Sequence, residues 1–196
     1  MSKILCITNR KLCRDDFIQR LSRIASAHPA GIVLREKDLS AAEYKALAQE
    51  VLAICKAQET FCILHSFVDV ATELGAQAIH LPLPLLRTLT SQEKAHFSTL
   101  GASCHSVEDA LEAQKLGCTY ITAGHIFDTD CKKGLPGRGL DFLQAVCKAV
   151  TIPVYAIGGI EPSNIGSVCK AGATGACIMS RIMKAPDEGA CLKEFE

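Results

Sequence analysis

In the stretch AGHIFDTDCKKGLPGRGL (Ala123–Leu140), His125 directly follows Gly124 at the end of a short apolar run. An imidazole, with an ordinary pKa of about 6.5, can take and return a proton near neutral pH. At a strand end His125 is a candidate general acid and base; in a polar surface loop it would do no chemistry. Position alone leaves both readings open. Lys132 and Lys133 follow in the same stretch and could meet an anion.

A second piece, AIGGIEPSN, supplies Gly158 and Gly159. Adjacent glycines let a backbone approach a ligand closely, and the N-terminus of a following helix offers unpaired N–H groups to a phosphate. IMSRIM, with Ser180 as donor or cap, has the same character, and two ordinary tight turns are the alternative. Other polar residues just past apolar runs are Thr8, Asn9, Arg35, Glu36, Lys37, His65, Ser66, Ser103, His105 and Arg181. Arg35 and Lys37 make this set locally cationic, and Ser103 is a candidate substrate contact. A hard divalent cation would need carboxylates, yet the third and fourth runs are followed by LHSFVD and HLPLPLL, where the only acid is Asp69. The histidines are too scattered for zinc. No metal is therefore expected. His28 and His96 read as surface residues, and His80 reads as a satisfied core residue.

Bringing such residues together requires a scaffold, and the apolar runs describe one. They are ILCI, GIVL, FCIL, AIHL, STLGA, YITA, VYAI and ACIM. Each is continuous rather than alternating, as in parallel strands covered on both faces. Amphipathic segments lie between them. Ser40 opens one helix. Ser106, with Asp109 three residues on, opens another with an apolar stripe of Val107, Ala110, Leu111 and Ala113. Pro162 falls in the first turn of a third. Strand and helix alternate eight times, which predicts a (β/α)8 barrel as a single domain over residues 1–196; a doubly wound open sheet is the alternative. In such a barrel the site lies at the carboxyl ends of the strands.

Lys+Arg and Asp+Glu are equal at 21 each, which argues against a chain-wide footprint for nucleic acid or an anionic membrane. No run approaches the length of a membrane span, and no signal peptide is visible at MSKILCITNRK. Eleven cysteines occur without a C-x-x-C pair, most of them among apolar neighbours, so buried free thiols in a reducing cytoplasm are expected. Homo-oligomerisation is left open.

LREK, HSVEDALEAQKLGCTYITAGHIFDT, KKGLPGRGL, IPVYAIGGIEPSN and GATGACIMS resemble the thiamine phosphate synthase superfamily, and within it the TenI branch of thiazole tautomerases. The resemblance spans nearly the whole chain and is strongest from residue 101 to 181. Synthases typically carry Asn-Asp after strand three and Gly-Gln-x-Asp after strand four, whose aspartates hold the magnesium of a pyrophosphate substrate. This chain has His65-Ser66 and Leu81-Pro82-Leu83-Pro84 there. After strand six, where synthases usually have Gly-Pro, it has Gly124-His125.

The resemblance thus implies an isomerase that aromatises a carboxythiazole phosphate tautomer, with His125 as the proton carrier and neither metal nor cofactor. It also places the phosphate on the backbone of Gly158, Gly159, Met179 and Ser180. Arg35 and Lys37 would face the ligand, with Lys132 near its phosphate or carboxylate. Two alternatives stand beside it: thiamine phosphate synthase, a transferase, and a non-catalytic thiazole-phosphate-binding or regulatory protein.

Overall fold

A computed structural model describes residues 3–129, Lys132 and residues 134–196. The described residues form β1 (Ile4–Ile7), β2 (Gly31–Leu34), β3 (Cys62–His65), β4 (Ala78–Pro82), β5 (Thr99–Cys104), β6 (Tyr120–Gly124), β7 (Val154–Ile157) and β8 (Gly175–Ile178). Strand order follows the chain and closes into a barrel with interleaved helices, the expected (β/α)8 fold. The apolar runs locate all eight strands to within a residue or two. Every residue of β1, β2, β6 and β8 is buried, which explains why these strands show no alternation.

Contacts divide the chain into two compact units: residues up to Ile79 together with Ile178–Glu196, and His80–Cys177. In the first, β1, β2 and β3 pair in parallel, with Cys6 opposite Ile32 and Ile32 opposite Cys62. The helix Ala41–Ala57 begins at Ser40, whose hydroxyl accepts from the Glu43 N–H while the Glu43 carboxylate accepts from the Ser40 N–H. Such a cap contributes about 1 kcal/mol. Tyr44, Ala48, Val51 and Cys55 form its buried stripe. The Tyr44 hydroxyl donates to the Leu34 carbonyl at 2.7 Å and accepts from the His65 N–H at 2.9 Å, so one phenol joins the ends of β2 and β3.

Nearby in sequence, the helix Phe17–Ser26 carries Arg20, buried against Glu188 at 2.9 Å. Arg20 also donates to the carbonyls of Ile182 and Ala185. This anchors the C-terminal segment on the helix Phe17–Ser26.

In the second unit β5, β6, β7 and β8 pair in parallel; Gly101 lies opposite Tyr120, and Ser103 opposite Thr122. The helix Val107–Lys115 starts as expected, with Ser106 accepting from the Asp109 N–H at 3.0 Å. Its buried face is narrower than the expected stripe. Ala110 and Ala113 are inside, but Leu111 is an exposed large apolar residue. The helix Ile165–Lys170 also departs from expectation, because Pro162 lies in the turn before it. Asn164 holds that turn instead: its side chain accepts from the Glu161 N–H and donates to the Gly159 carbonyl, both at 2.9 Å.

Candidate active site

The exit of β6 places His125 half-buried, joined to Gly124 by a cis peptide bond. Its Nε2 lies 3.1 Å from the Leu135 carbonyl oxygen. A carbonyl can only accept, so Nε2 carries a proton, and in the neutral ring Nδ1 is left as an acceptor. The segment beyond is stitched to the same exit. The Arg138 N–H donates to the His125 carbonyl and the Gly139 N–H to that of Ile126. The Gly137 N–H donates to the Asp128 carboxylate at 2.7 Å. Gly137 must be glycine here, since a β-carbon would lie 2.6 Å from the Ile126 oxygen. Across the β5 exit, exposed His105 donates through Nδ1 to the Gly124 carbonyl at 2.9 Å.

Gly158 and Gly159 take positive φ values of 100° and 65°, which favour glycine. The space freed by their missing β-carbons is filled by protein. A β-carbon on Gly158 would sit 2.4 Å from the His125 Cβ, and one on Gly159 would sit 2.6 Å from the Asp128 carbonyl oxygen. The pair is therefore glycine chiefly so that the β6 exit can pack on the β7 exit. Among the described residues the Gly158 and Gly159 N–H groups have no acceptor, so they remain available to an anion. The following helix begins only at Ile165, after a turn over residues 162–164.

Below this level runs a buried polar chain. Tyr120 Oη lies 2.9 Å from His80 Nδ1, and His80 Nε2 lies 2.8 Å from Ser103 Oγ. His80 is 4% exposed, as befits the core residue expected, while Ser103 is half-buried toward the end of β5. Sequence reasoning missed the link because it joins three strands, and only their register brings the side chains into line.

In the first unit, Glu36 is 2% exposed and its carboxylate accepts from the Thr8 hydroxyl at 2.7 Å. It also accepts from the Arg10 N–H at 3.0 Å and the Arg10 guanidinium at 3.0 Å. Arg10 makes two 2.7 Å bonds to Asp38. With Lys11 it holds the Asp38 carboxyl well below the usual range, and Asp38, then Glu36, in turn raise Arg10. This network braces the β1 and β2 exits. Arg35 beside it is half-buried, with its own N–H on Thr8 Oγ1 and no ion pair to its guanidinium among the described residues. Lys37 is exposed. Met179 and Ser180 are half-buried at the β8 exit, where Ser180 begins the helix Ser180–Lys184 without a side-chain cap. Lys132 is exposed, and Lys133 lies outside the described residues.

The β3 and β4 exits offer no carboxylate pair. His65 is buried with its Nδ1 2.6 Å from Ser66 Oγ, Pro82 precedes the helix Leu83–Thr88, and Asp69 is exposed on the helix Val68–Glu73. Among the described residues no group of three or more His, Cys, Asp or Glu side chains could hold a metal. No described helix is long and apolar enough to cross a membrane.

Comparison with known proteins bears on the choice between the two branches. A family model described as thiamine monophosphate synthase matches residues 4–182. Thiamine-phosphate synthase 2 of Streptococcus pneumoniae is 31% identical, over 98% of this chain and 93% of its own length. A thiamine-phosphate synthase of a Roseiflexus species is 33% identical, over 97% and 82%. Among solved structures, thiamine phosphate pyrophosphorylase from Pyrococcus furiosus superposes with a TM-score of 0.84 at 28% identity, covering 98% of this chain and 93% of that one. These similarities overturn the expectation of an isomerase. The relatives are synthases, and the histidine at position 125, which suggested a thiazole tautomerase, does not outweigh likeness along the whole chain.

Proposed function

Because the chain belongs to the thiamine monophosphate synthase family, we propose that it is a transferase that makes thiamine phosphate from a pyrimidine pyrophosphate and a thiazole phosphate. In that reaction a bond forms between the thiazole nitrogen and the methylene carbon of the pyrimidine. The carbon–oxygen bond to pyrophosphate breaks, and pyrophosphate leaves with the electron pair. What carries the proposal is the 31–33% identity to proteins of that name over 97% or more of the chain.

The residues fit roles in holding the reactants. The free N–H groups of Gly158 and Gly159 hold the thiazole phosphate; the backbone of Met179 and Ser180 is a separate anion-binding candidate. Arg35 and Lys37 supply positive charge for the pyrophosphate, which stabilises a leaving group that gains charge as the bond breaks; Lys132 is a separate cationic candidate. Ser103 donates a hydrogen bond to the substrate. His125 is a positioning residue: its bond to the Leu135 carbonyl holds the 134–138 loop against the β6 exit.

A second reading draws on the β3 and β4 exits. Without a carboxylate pair there, the chain would bind the phosphorylated ligand and not turn it over. One experiment separates the two. The chain is incubated with both substrates and magnesium chloride, and thiamine phosphate and pyrophosphate are measured together. Equimolar formation of both supports the transferase. Tight binding of thiazole phosphate without product supports the second reading, and neither turnover nor binding overturns both.

A further inference from the structure

The chain Tyr120–His80–Ser103 has a direction. On β5, Gly101 and Ser103 are two residues apart and so face the same side of the sheet. The Tyr120 ring lies over Gly101; a β-carbon there would sit 2.2 Å from Cζ of that ring. The missing side chain at 101 thus lets the phenol pass beneath Ser103 and reach the His80 ring. Register places Tyr120 level with Gly101, one side-chain layer below Ser103.

The proton positions follow from counting donors and acceptors. Tyr120 is buried, and burial pushes its hydroxyl far above the ordinary phenol range, so it stays protonated. Among the described residues His80 Nδ1 is the one hydrogen-bond partner of that hydroxyl. Were Nδ1 protonated, the imidazole would donate to the phenol, and the buried phenol hydrogen would be left without an acceptor. Tyr120 therefore donates, and Nδ1 accepts. The neutral ring then carries its hydrogen on Nε2 and donates to Ser103 Oγ. Ser103 cannot spend its own hydrogen on His80.

We infer that Tyr120 is a positioning residue which, through the tautomer of His80, leaves the Ser103 hydroxyl free to donate to an acceptor atom of the bound ligand. The opposite tautomer would turn the serine hydrogen back onto the imidazole and present only lone pairs to the ligand. The relay thus selects a ligand with an acceptor at that point. Its ligand-facing end rests on the reading of Ser103 given under the proposed function; the tautomer does not.

Two measurements test it. Nitrogen-15 NMR of the imidazoles, with His80 assigned by its loss in His80→Gln, should show an unprotonated Nδ1 and a protonated Nε2 in the wild-type chain. A protonated Nδ1 overturns the inference whatever the enzyme does. Thiamine phosphate binding is then measured by calorimetry for wild type, Tyr120→Phe, Ser103→Ala, Ser103→Thr and the Tyr120→Phe/Ser103→Ala pair. Tyr120→Phe should weaken binding about fivefold to tenfold, and it should cost nothing further once Ser103 is alanine. Ser103→Thr, which keeps a hydroxyl, should retain most of the affinity. Independent, multiplicative losses would overturn the inference, because they would mean that the phenol acts other than through the serine. If the wild-type chain binds no thiamine phosphate, the proposed function fails, and the NMR result still decides the tautomer.

Discussion

Tyr120 occupies the space that any side chain on Gly101 would need: a β-carbon there would fall 2.2–2.5 Å from three atoms of the phenol. The two face each other across the β5–β6 ladder. Gly101→Ala should therefore destabilise the protein by about 2 kcal/mol or more through overpacking. Tyr120→Val opens the space at its own cost. In urea unfolding the double variant should be clearly less destabilised than the sum of the singles, a coupling of about 1 kcal/mol or more. Additive losses would mean that the ring does not set the requirement.

Gly158→Ala is expected to act at two levels. Its positive φ and the 2.4 Å approach to the His125 β-carbon should together cost about 2 kcal/mol or more. Binding of thiazole phosphate should weaken at the same time, because the N–H groups and His125 shift together. A variant with normal unfolding and normal binding would show that the two exits do not pack as described.

Glu36→Gln keeps the shape and removes the charge that faces the Arg10 guanidinium, the Arg10 N–H and the Thr8 hydroxyl. Breaking a buried pair on one side typically costs about 3–5 kcal/mol. Part-exposed Arg10 keeps Asp38, so a loss near about 2–3 kcal/mol is expected in denaturant melts. Asp38→Asn, at the exposed end of the same network, should change stability far less than Glu36→Gln, because solvent screens that pair.

Cys104 and Cys118 give a pH dependence. Burial pushes both thiols up to about 12 from the ordinary 9.0. Above pH 9 the unfolded chain loses these protons and the folded chain keeps them. Their contribution is thus fully present below pH 9 and is lost as the pH rises toward 12. Each thiol steepens the fall by at most about 1.4 kcal/mol per pH unit. The Cys104→Ala/Cys118→Ala variant should show a shallower decline between pH 9 and 11 than wild type, and parallel declines would contradict the burial argument.

Much of this was written in local sequence. Continuous apolar runs marked the strands, and Ser40 with Glu43 and Ser106 with Asp109 marked helix starts, because caps and strand burial depend on neighbours within a few residues. Leu111 was misplaced because a short helix on a barrel buries a narrow stripe. Pro162 was misplaced because the Asn164 side chain extends the turn. The glycines were found as a place where the backbone could approach a ligand, while their packing was hidden: their neighbours in space are residues 125–128, more than thirty positions away in the chain. The Glu36 network and the Tyr120–His80–Ser103 chain were equally hidden, since each depends on strand register. Likeness to a branch of the superfamily, judged on His125 and two missing aspartates, gave way to likeness along the whole chain.

The packing of Gly158 and Gly159 against residues 125–128, and of Gly137 against Ile126 and Phe127, has a consequence for how such barrels diversify. The β6 and β7 loops form a single heritable part. A bulkier residue introduced into one is tolerated only with a matching retreat in the other. Anyone transplanting the β6 loop from a relative would need to carry over its β7 glycines as well, or accept a misfitted graft.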